Sequence, residues 1–366
     1  MKIERIVLHI LSMPLVSPFE TSFGRSTHRS CVLVEVQSEG LTGWGECPAD
    51  AEPGYSYETV QTAAHILRDF IAPAVLGAEI EGPAEFQRKA AWIRGHPMAK
   101  SGLEMALWDL QGKRTDRSLK AMLGGVLDRA AVGVSVGLQE SPGRLLDTVA
   151  GYLGDGYRRV KLKIKPGRDI LVARTVREAY PDLLLQVDAN SAYSLESAAA
   201  LAPLDELGLL LIEQPLSEDD LWDHHRLQKM FRTPICLDES IVSPRAARQA
   251  MDMDACRVIN IKQGRVGGIL NAVAIHDLCR EQGVPVWCGG MLETGIGRAA
   301  NLALASLVNF SLPGDISATD RYYAEDITEE RFHLNPDSTI DVPDLPGLGV
   351  RVDRKALERY STARAH

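Results

Sequence analysis

A regular spacing in the middle of the chain most constrains what it can fold into. Six residues end short apolar runs at successive intervals of 25, 25, 25, 24 and 25 residues, and they are Lys163, Asp188, Glu213, Asp238, Lys262 and Trp287. Each interval has the length of one strand plus one helix, and the segments are too dissimilar to be solenoid repeats. Equal strand–helix units in succession predict an α/β fold with a parallel barrel, whose active site lies at the carboxyl ends of its strands.

The sequence on either side of these units has a different texture. Strand-like runs reach to about residue 50, and helical apolar spacing follows from about 57 to 116, which together predict an α+β domain over residues 1–125. The barrel is expected over residues 126–320. The Pro- and Gly-rich segment 321–366 is expected to pack back onto the first domain.

Composition narrows the classes of function. A net charge of −9 without a long basic stripe argues against a nucleic-acid partner. No apolar run reaches the ~20 residues needed to cross a bilayer, and the start MKIERIVLHILSMPLV predicts a first strand rather than a signal peptide. The cysteines are scattered without CxxC pairs, which favours free thiols in a reducing cytoplasm. They are Cys31, Cys47, Cys236, Cys256, Cys279 and Cys288.

Charged residues are expected to converge in the barrel mouth. In the stretch VKLKI, on the second predicted strand, Lys161 and Lys163 point to the same face. The next three strands end in carboxylates and the sixth in a lysine, and these residues are Asp188, Glu213, Asp238 and Lys262. Strands two and six lie on opposite sides of an eight-stranded barrel, so the carboxylates would occupy the arc between two lysines.

Three converging carboxylates predict a bound metal ion. They repel one another unless a hard divalent cation binds them, and Mg²⁺ suits an all-oxygen ligand set with open positions for substrate. Mn²⁺ or another divalent cation can substitute. Burial and neighbouring positive charge lower the pKa of a lysine, so Lys163 is expected to act as a neutral base near physiological pH.

A metal between two lysines suits one class of reaction. A proton alpha to a carboxylate is too weakly acidic for an amine unless the resulting enolate is stabilised, and a metal on the carboxylate supplies that stabilisation. One lysine then removes the proton from one face. The opposite lysine returns a proton to the other face, giving racemisation, or stabilises the enolate while a β leaving group departs. The expected partner is a small-molecule carboxylate.

Five short motifs carry a resemblance to a known family. The order KLK, VDAN, IEQP, LDES and NIK is similar to the muconate-lactonising branch of the enolase superfamily, whose sites combine a Lys or His base with Mg²⁺. More narrowly, GVSVG, LLIEQPL, PICLDES and VWCGGMLETGIGRAANLALASL resemble the o-succinylbenzoate synthase/N-acylamino acid racemase group. The resemblance covers nearly the whole chain. It implies a modified (β/α)7β TIM barrel and an N-terminal capping domain completed by the C-terminal segment, with a substrate-covering loop at about 15–30.

The resemblance also implies roles for the charged residues. Lys163 would be the general base, Lys161 would tune its pKa, and Lys262 would be the second acid/base or an enolate-stabilising cation. The implied Mg²⁺ ligands are Asp188, Glu213 and Asp238. Glu239 and Arg265 would support the site, and the position of Arg265 is associated in this group with racemase activity.

Substrate contacts and assembly are implied in the same way. The implied substrate-binding residues are Phe19, Thr21, Phe23, Ser135, Asn190, Gly290, Met291 and Leu292. Relatives in the group imply a homo-oligomer, from a dimer to an octamer.

Some of these residues have simpler interpretations. Taken alone, Asp188 or Asp238 suits a helix N-cap, and Glu239 beside Ser240 suits one too. The doublet His224-His225 is interpreted as a solvated helix face.

A glycine motif and the reaction itself each leave more than one function open. Residues 295–300 fit the GxGxxA pattern, with Asp315 as a ribose-binding acid, so a dinucleotide-dependent oxidoreductase is a remote alternative. The synthase dehydrates a succinylated hydroxycyclohexadiene carboxylate on the route to menaquinone, and the racemase acts on N-succinylated amino acids. Both begin with the same proton abstraction, so the sequence does not divide them. Dipeptide epimerase and muconate cycloisomerase activities, from the same superfamily, also suit this chemistry.

Overall fold

The secondary structure alternates as the spacing predicts. The computed structural model describes residues 1–21 and 24–365. Its strands are β1 (Arg5–Glu20), β2 (Arg25–Ser38), β3 (Leu41–Cys47), β4 (Arg129–Ala131), β5 (Val134–Val136), β6 (Arg159–Lys163), β7 (Leu184–Asp188), β8 (Ile212–Glu213), β9 (Ile235–Leu237), β10 (Val258–Ile261), β11 (Val286–Cys288), β12 (Thr339–Asp341) and β13 (Ser361–Ala365).

The α-helices fall into an N-terminal group and a group that alternates with the parallel strands. They are α1 (Val60–Ile66), α2 (Pro83–Lys89), α3 (Pro97–Thr115), α4 (Leu119–Leu123), α5 (Pro142–Asp155), α6 (Ile170–Ala179), α7 (Leu195–Ala198), α8 (Leu221–Met230), α9 (Pro244–Asp252), α10 (Ile269–Glu281), α11 (Gly295–Ala305) and α12 (Arg354–Tyr360). A π-helical turn, Leu67–Ile71, continues α1, and 3-10 turns occupy Ala72–Ala74, Ala199–Glu206 and Thr319–Arg321. None of the helices in the described residues is long and apolar enough to cross a membrane.

The N-terminal sheet is antiparallel and includes the C-terminal strand. Its order is β13-β1-β2-β3, with Leu8 of β1 opposite Ala365 of β13. The buried helix α3 packs against β2 and β3, where a β-carbon at Gly45 would collide with the carbonyl oxygen of Gly102. The C-terminal helix is fastened to the same sheet, because Arg354 donates two hydrogen bonds of 3.0 Å to the buried carboxylate of Glu35. The C-terminal segment therefore contacts the first domain directly.

The β1–β2 hairpin extends toward the barrel. The register shifts between Pro14 and Phe19, because prolines at 14 and 18 have no N–H for the ladder, and pairing then resumes with Phe19 opposite Ser26. The substrate-covering segment expected at about 15–30 is thus mainly strand in the described residues, rather than an irregular loop.

Seven parallel strands form the barrel wall in the order β11-β10-β9-β8-β7-β6-β5. Residues 310–315 bridge the two edges of this sheet. The backbone amide of Gly133 donates to the carbonyl of Gly314 (2.8 Å) beside β5. The backbone amide of Asp315 donates to the carbonyl of Cys288 (2.9 Å) on β11. This segment stands where an eighth strand would be, which confirms the TIM-barrel type of fold predicted from the spacing.

Candidate functional site

The paired lysines of β6 point into the barrel. Lys161 and Lys163 are 3% and 7% exposed, so the face of the VKLKI strand that carries them points into the barrel, as expected. Acidic partners make their burial tolerable. The ammonium of Lys161 lies 2.6 Å from Asp315, 2.9 Å from Glu213 and 3.1 Å from Asp188. Lys161 is therefore held as a buried cation by three carboxylates.

Lys163 lies at the end of the same strand. Its register partner across the ladder is Asp188, the last residue of β7, so the two side chains emerge at one level. Lys163 donates to Asp188 Oδ2 and to Asn190 Oδ1, both at 2.6 Å. Asn190 has a left-handed backbone (φ 42°), which asparagine tolerates better than most residues, and its amide hydrogen bonds to Asp188 as well. One carboxylate and one neutral oxygen thus fix this lysine.

Lys262 follows β10, four strands away from β6 in the sheet. It donates to Asp238 Oδ2 (2.8 Å) and to the hydroxyl of Tyr55 (2.9 Å). Arg265 also pairs with Asp238 and donates to the carbonyls of Ile241 and Asn260. This second lysine, like the first, contacts one carboxylate and one neutral oxygen.

Of the carboxylates between the two lysines, Asp188, Glu213 and Asp238 are buried and Glu239 is half-buried. Glu213 accepts hydrogen bonds from Lys161 and from Asn260 Nδ2 (2.8 Å). Glu239 accepts from Asn190 (2.9 Å), whereas its Oε2 is buried and has no hydrogen-bond partner within residues 1–21 and 24–365. Burial and the charge of Asp188 raise the pKa of Glu239 to about 7. A buried acidic oxygen without a partner marks this region as one that favours an additional cation.

The electrostatics of two lysines differ from what crowding alone predicts. Burial acts to lower the pKa of Lys161, but Asp315, Glu213 and Asp188 together raise it well above its ordinary value. Burial likewise acts to lower the pKa of Lys262. The interactions of Lys262 with Tyr55 and Glu239 outweigh this effect, so its pKa is also raised. Nearby acids therefore dominate over the repulsion between lysines. The role of Lys163 as a neutral base stays a prediction.

The donor set fits a hard divalent cation. In the described part of the chain, no three His, Cys, Asp or Glu side chains converge closely enough to hold a metal, since the acidic oxygens face lysines. Yet Asp188, Glu213 and Asp238 are buried at the ends of three consecutive strands, and they offer only oxygen ligands. Together with the unpartnered oxygen of Glu239, this chemistry suits Mg²⁺.

A cavity opens above these residues, between the barrel and the N-terminal sheet. The free space of the cavity, together with the open solvent at its mouth, is about 880 Å³. Lys161, Lys163 and Lys262 line it. The predicted substrate contacts that line it are Phe19, Thr21, Ser135, Asn190, Gly290, Met291 and Leu292. Phe23 lies outside the described residues. The structure thus brings together every described residue that was predicted to contact substrate.

Family models match the chain over most of its length. Residues 3–124 match the mandelate racemase/muconate lactonizing enzyme N-terminal domain, and residues 144–356 match the enolase C-terminal domain-like model. The chain belongs to the enolase superfamily. Its resemblance to the muconate-lactonising branch is confirmed. Members of this superfamily generally use Mg²⁺.

Relatives of this superfamily member share its full length. It is 50% identical to an o-succinylbenzoate synthase from Geobacillus kaustophilus over 98% of the chain and 96% of the relative. It is 51% identical to an N-succinylamino acid racemase from an Amycolatopsis species, over 100% and 99%. A solved enolase-superfamily structure from Listeria innocua superposes with a TM-score of 0.96 at 42% identity, covering 100% of this chain and 98% of that one. An L-Ala-D/L-Glu epimerase from Bacillus subtilis is more distant, at 30% identity over 96% of this chain and 97% of the relative.

The dinucleotide-binding interpretation is wrong for this enolase-superfamily chain. The glycines of residues 295–300 begin α11, and their amides bond carboxylates of the protein itself. Gly295 donates to Asp326 and Gly297 donates to Glu46, both at 2.9 Å. The supposed ribose-binding acid, Asp315, is paired with Lys161 and with Arg159 (2.7 Å).

Two simpler interpretations also fail. The caps of α7 and α9 are Ser194 and Ser243, so neither Asp188 nor the Asp238–Ser240 segment caps a helix. His224 is fully buried rather than solvated. Its ring is satisfied inside the protein, because it accepts a hydrogen bond from the backbone amide of Leu216 (3.2 Å).

Several residues of the site were not found from the sequence. The cavity is also lined by Ser26, Arg29, Tyr55, Asp315 and Tyr322. Most of these come from the N-terminal domain or from the region that follows the closing segment, residues 310–315, where no periodic pattern marks them. Asp315 alone gave a signal, since it ends the apolar stretch before the tail and would be the polar residue of an eighth strand.

Proposed function

We propose that this protein removes a proton alpha to a substrate carboxylate, with Mg²⁺, as an o-succinylbenzoate synthase, an N-succinylamino acid racemase, or both. The observation that carries the proposal is the pair Lys163 and Lys262, which are buried, line one cavity and lie at the carboxyl ends of strands four apart. Two full-length relatives with these activities in their names share about half of the sequence, at 50% and 51% identity.

Asp188, Glu213 and Asp238 would hold the metal ion. When bound, Mg²⁺ supplies positive charge that stabilises the enolate of the substrate carboxylate. The chain's own cations act alongside it. Lys161 is fixed by Glu213 and Asp315, and it contributes a preorganised positive charge at the same end of the barrel.

In racemisation the two lysines would serve opposite faces of the substrate. Lys163 takes the α-proton from one face, and Lys262 delivers a different proton to the other face, which inverts the centre. In the reverse direction the roles exchange. Each lysine keeps its place during the proton transfer through its neutral partner, the side-chain oxygen of Asn190 or Tyr55.

In dehydration one face suffices. Lys163 removes the α-proton, and the ammonium so formed donates that proton to the β-hydroxyl as the C–O bond breaks. One water molecule leaves, and Lys163 is neutral again. Lys262 then acts as a fixed cation beside the developing enolate, where such charge is worth several kcal/mol. Lys163 is therefore needed for both reactions.

Proton exchange in D₂O tests the opposed lysines. Lys163→Ala should abolish α-proton exchange of one enantiomer of an N-succinylamino acid, and Lys262→Ala should abolish that of the other. Either change should stop racemisation, whereas the exposed-lysine control Lys229→Ala should retain it. Normal exchange of both enantiomers in either lysine variant would contradict the proposal.

Steady-state kinetics on both substrates would divide synthase from racemase. Comparable kcat/KM values would indicate a bifunctional enzyme. Dipeptides and muconate belong in the same panel, because turnover of either in preference to the succinylated substrates would favour the epimerase or cycloisomerase alternative.

We further propose a cytoplasmic, homo-oligomeric enzyme whose partner is a small carboxylate rather than nucleic acid or membrane. Six free, buried cysteines support a reducing compartment, and they are Cys31, Cys47, Cys236, Cys256, Cys279 and Cys288. Light scattering coupled to size exclusion tests the assembly, and a purely monomeric mass would contradict it.

A further inference from the structure

Tyr55 connects the N-terminal domain to the barrel chemistry. It lies between β3 and α1, in a segment that also lines the substrate cavity through Asp50, Glu52 and Glu58. Its partly buried ring packs against the N-terminal core, and its hydroxyl accepts a hydrogen bond from Lys262 of the barrel. A residue of one domain therefore contacts a lysine of the other.

The contacts of the Tyr55 hydroxyl centre on Lys262. The ammonium donates to it at 2.9 Å and also lies 4.5 Å from the centre of the ring, within the range of a cation–π contact. Arg265 donates to the same hydroxyl at 3.3 Å, and the hydroxyl is 3.4 Å from both oxygens of Asp238. These contacts link the Tyr55 hydroxyl to the lysine, to the carboxylate partner of that lysine and to the arginine that pairs with the same carboxylate.

Lys163 and Lys262 have the same kinds of hydrogen-bond partner, but the neutral partner comes from a different domain in each case. Lys163 bonds one carboxylate assigned to the metal, Asp188, and one neutral oxygen, from Asn190. Lys262 bonds the assigned ligand Asp238 and one neutral oxygen, from Tyr55. Lysine has a long flexible stem, so its ammonium needs such partners to stay aimed at one point. A carboxylate that also binds a metal holds the lysine ammonium less strongly. The neutral oxygen is then the partner that keeps the ammonium in place.

We infer that Tyr55 is a positioning residue for Lys262, supplied by the N-terminal domain, and that it controls proton transfer on one substrate face only. The inference rests on the proposed function, since it concerns the lysine that serves that face. Lys163 receives its neutral partner from the barrel itself. The two faces therefore depend on the N-terminal domain to different degrees.

Tyr55→Phe tests the inference, because it removes the hydroxyl and keeps the ring. The assay is α-proton exchange of the D and L enantiomers of an N-succinylamino acid in D₂O with saturating Mg²⁺, followed by NMR. Lys262→Ala first identifies which enantiomer depends on Lys262. In Tyr55→Phe the exchange of that enantiomer should fall about 10- to 100-fold, as when an acid/base group loses its alignment, while the other changes by less than about 2-fold. The loss should appear in kcat more than in KM.

Tyr57→Phe is the matched control. Tyr57 lies two residues away, is 64% exposed and packs edge-on against His96, outside the cavity lining. It should leave both exchange rates unchanged. Unchanged exchange in Tyr55→Phe would overturn the inference, and so would equal losses for both enantiomers, which indicate a general role in folding or binding. If Lys262→Ala itself fails to separate the enantiomers, the proposed function is what fails.

Discussion

Asp315 offers a test of how the buried charges hold the barrel closed. It stands at the end of the closing segment and pairs with Arg159 (2.7 Å) and Lys161 (2.6 Å), which are 0% and 3% exposed. Asp315→Asn would leave two buried cations facing a neutral amide. Removing one partner of a buried ion pair costs about 3–5 kcal/mol.

The structure places the cost at the lower end of that range. Arg159 keeps its bond to the carbonyl of Pro313 (2.9 Å), and Lys161 keeps Glu213 (2.9 Å), so neither cation is left alone. About 3 kcal/mol is therefore expected. With an unfolding entropy of about 2.1 cal/mol/K per residue, a chain of this length has roughly 0.8 kcal/mol/K, which corresponds to a fall in Tm of roughly 4 °C.

Thermal unfolding by circular dichroism measures this shift in metal-free buffer. Asp320→Asn is the control, because Asp320 is an exposed aspartate of the same region. It should melt with the wild type. If Asp315→Asn also melts within about 1 °C of the wild type, the buried pairs of Asp315 do not stabilise the fold, since a loss of that size is typical of a surface substitution.

The metal site, the hairpin and the N-terminal core each give one more prediction. EDTA should abolish activity, and Mg²⁺ or Mn²⁺ should restore it. The Asp238→Asn variant should be inactive yet folded. Full activity of the EDTA-treated enzyme would contradict the metal assignment. Phe19→Ala or Thr21→Ala should lower kcat/KM by different factors for the synthase and racemase substrates, because both residues line the cavity from the N-terminal hairpin and not from the barrel strands. Equal factors would count against a selective hairpin. Burial raises the pKa of Glu104 to about 7 in the folded protein, above its ordinary 4.5, so its ionisation disfavours folding and stability falls as pH rises between these values. Glu104→Gln should flatten that part of the Tm–pH curve, and an unchanged slope would contradict the assignment.

The barrel and its charged residues were predictable because their signal is local. An apolar run followed by a polar residue indicates a buried parallel strand and its carboxyl end. The spacing alone therefore placed Lys163, Asp188 and Glu213 at strand ends, and it placed Lys262 at the sixth strand, which this residue directly follows. The inward direction of Lys161 followed from the two-residue period of the strand.

The rest of the site depends on contacts that no local pattern records. Tyr55 reaches Lys262 across 207 residues of sequence, and Asp315 meets Arg159 only after the barrel closes. The polar character of His224 suggested a solvated surface, but a backbone amide, which any sequence can provide, satisfies its ring inside the protein. The substrate contacts came from the family resemblance, since glycine, methionine and leucine carry no chemical signal of their own.

The pairing of β13 with β1 has a consequence for how the chain is made. β1 is synthesised before the whole barrel, and β13, which covers its free edge, is synthesised after it, so at about 5–20 residues per second that edge waits roughly 20–70 s. An uncovered strand edge is a template for pairing with other chains. During that interval the uncovered edge of β1 can pair with other chains, so a chaperone that binds this edge should reduce aggregation of the nascent chain.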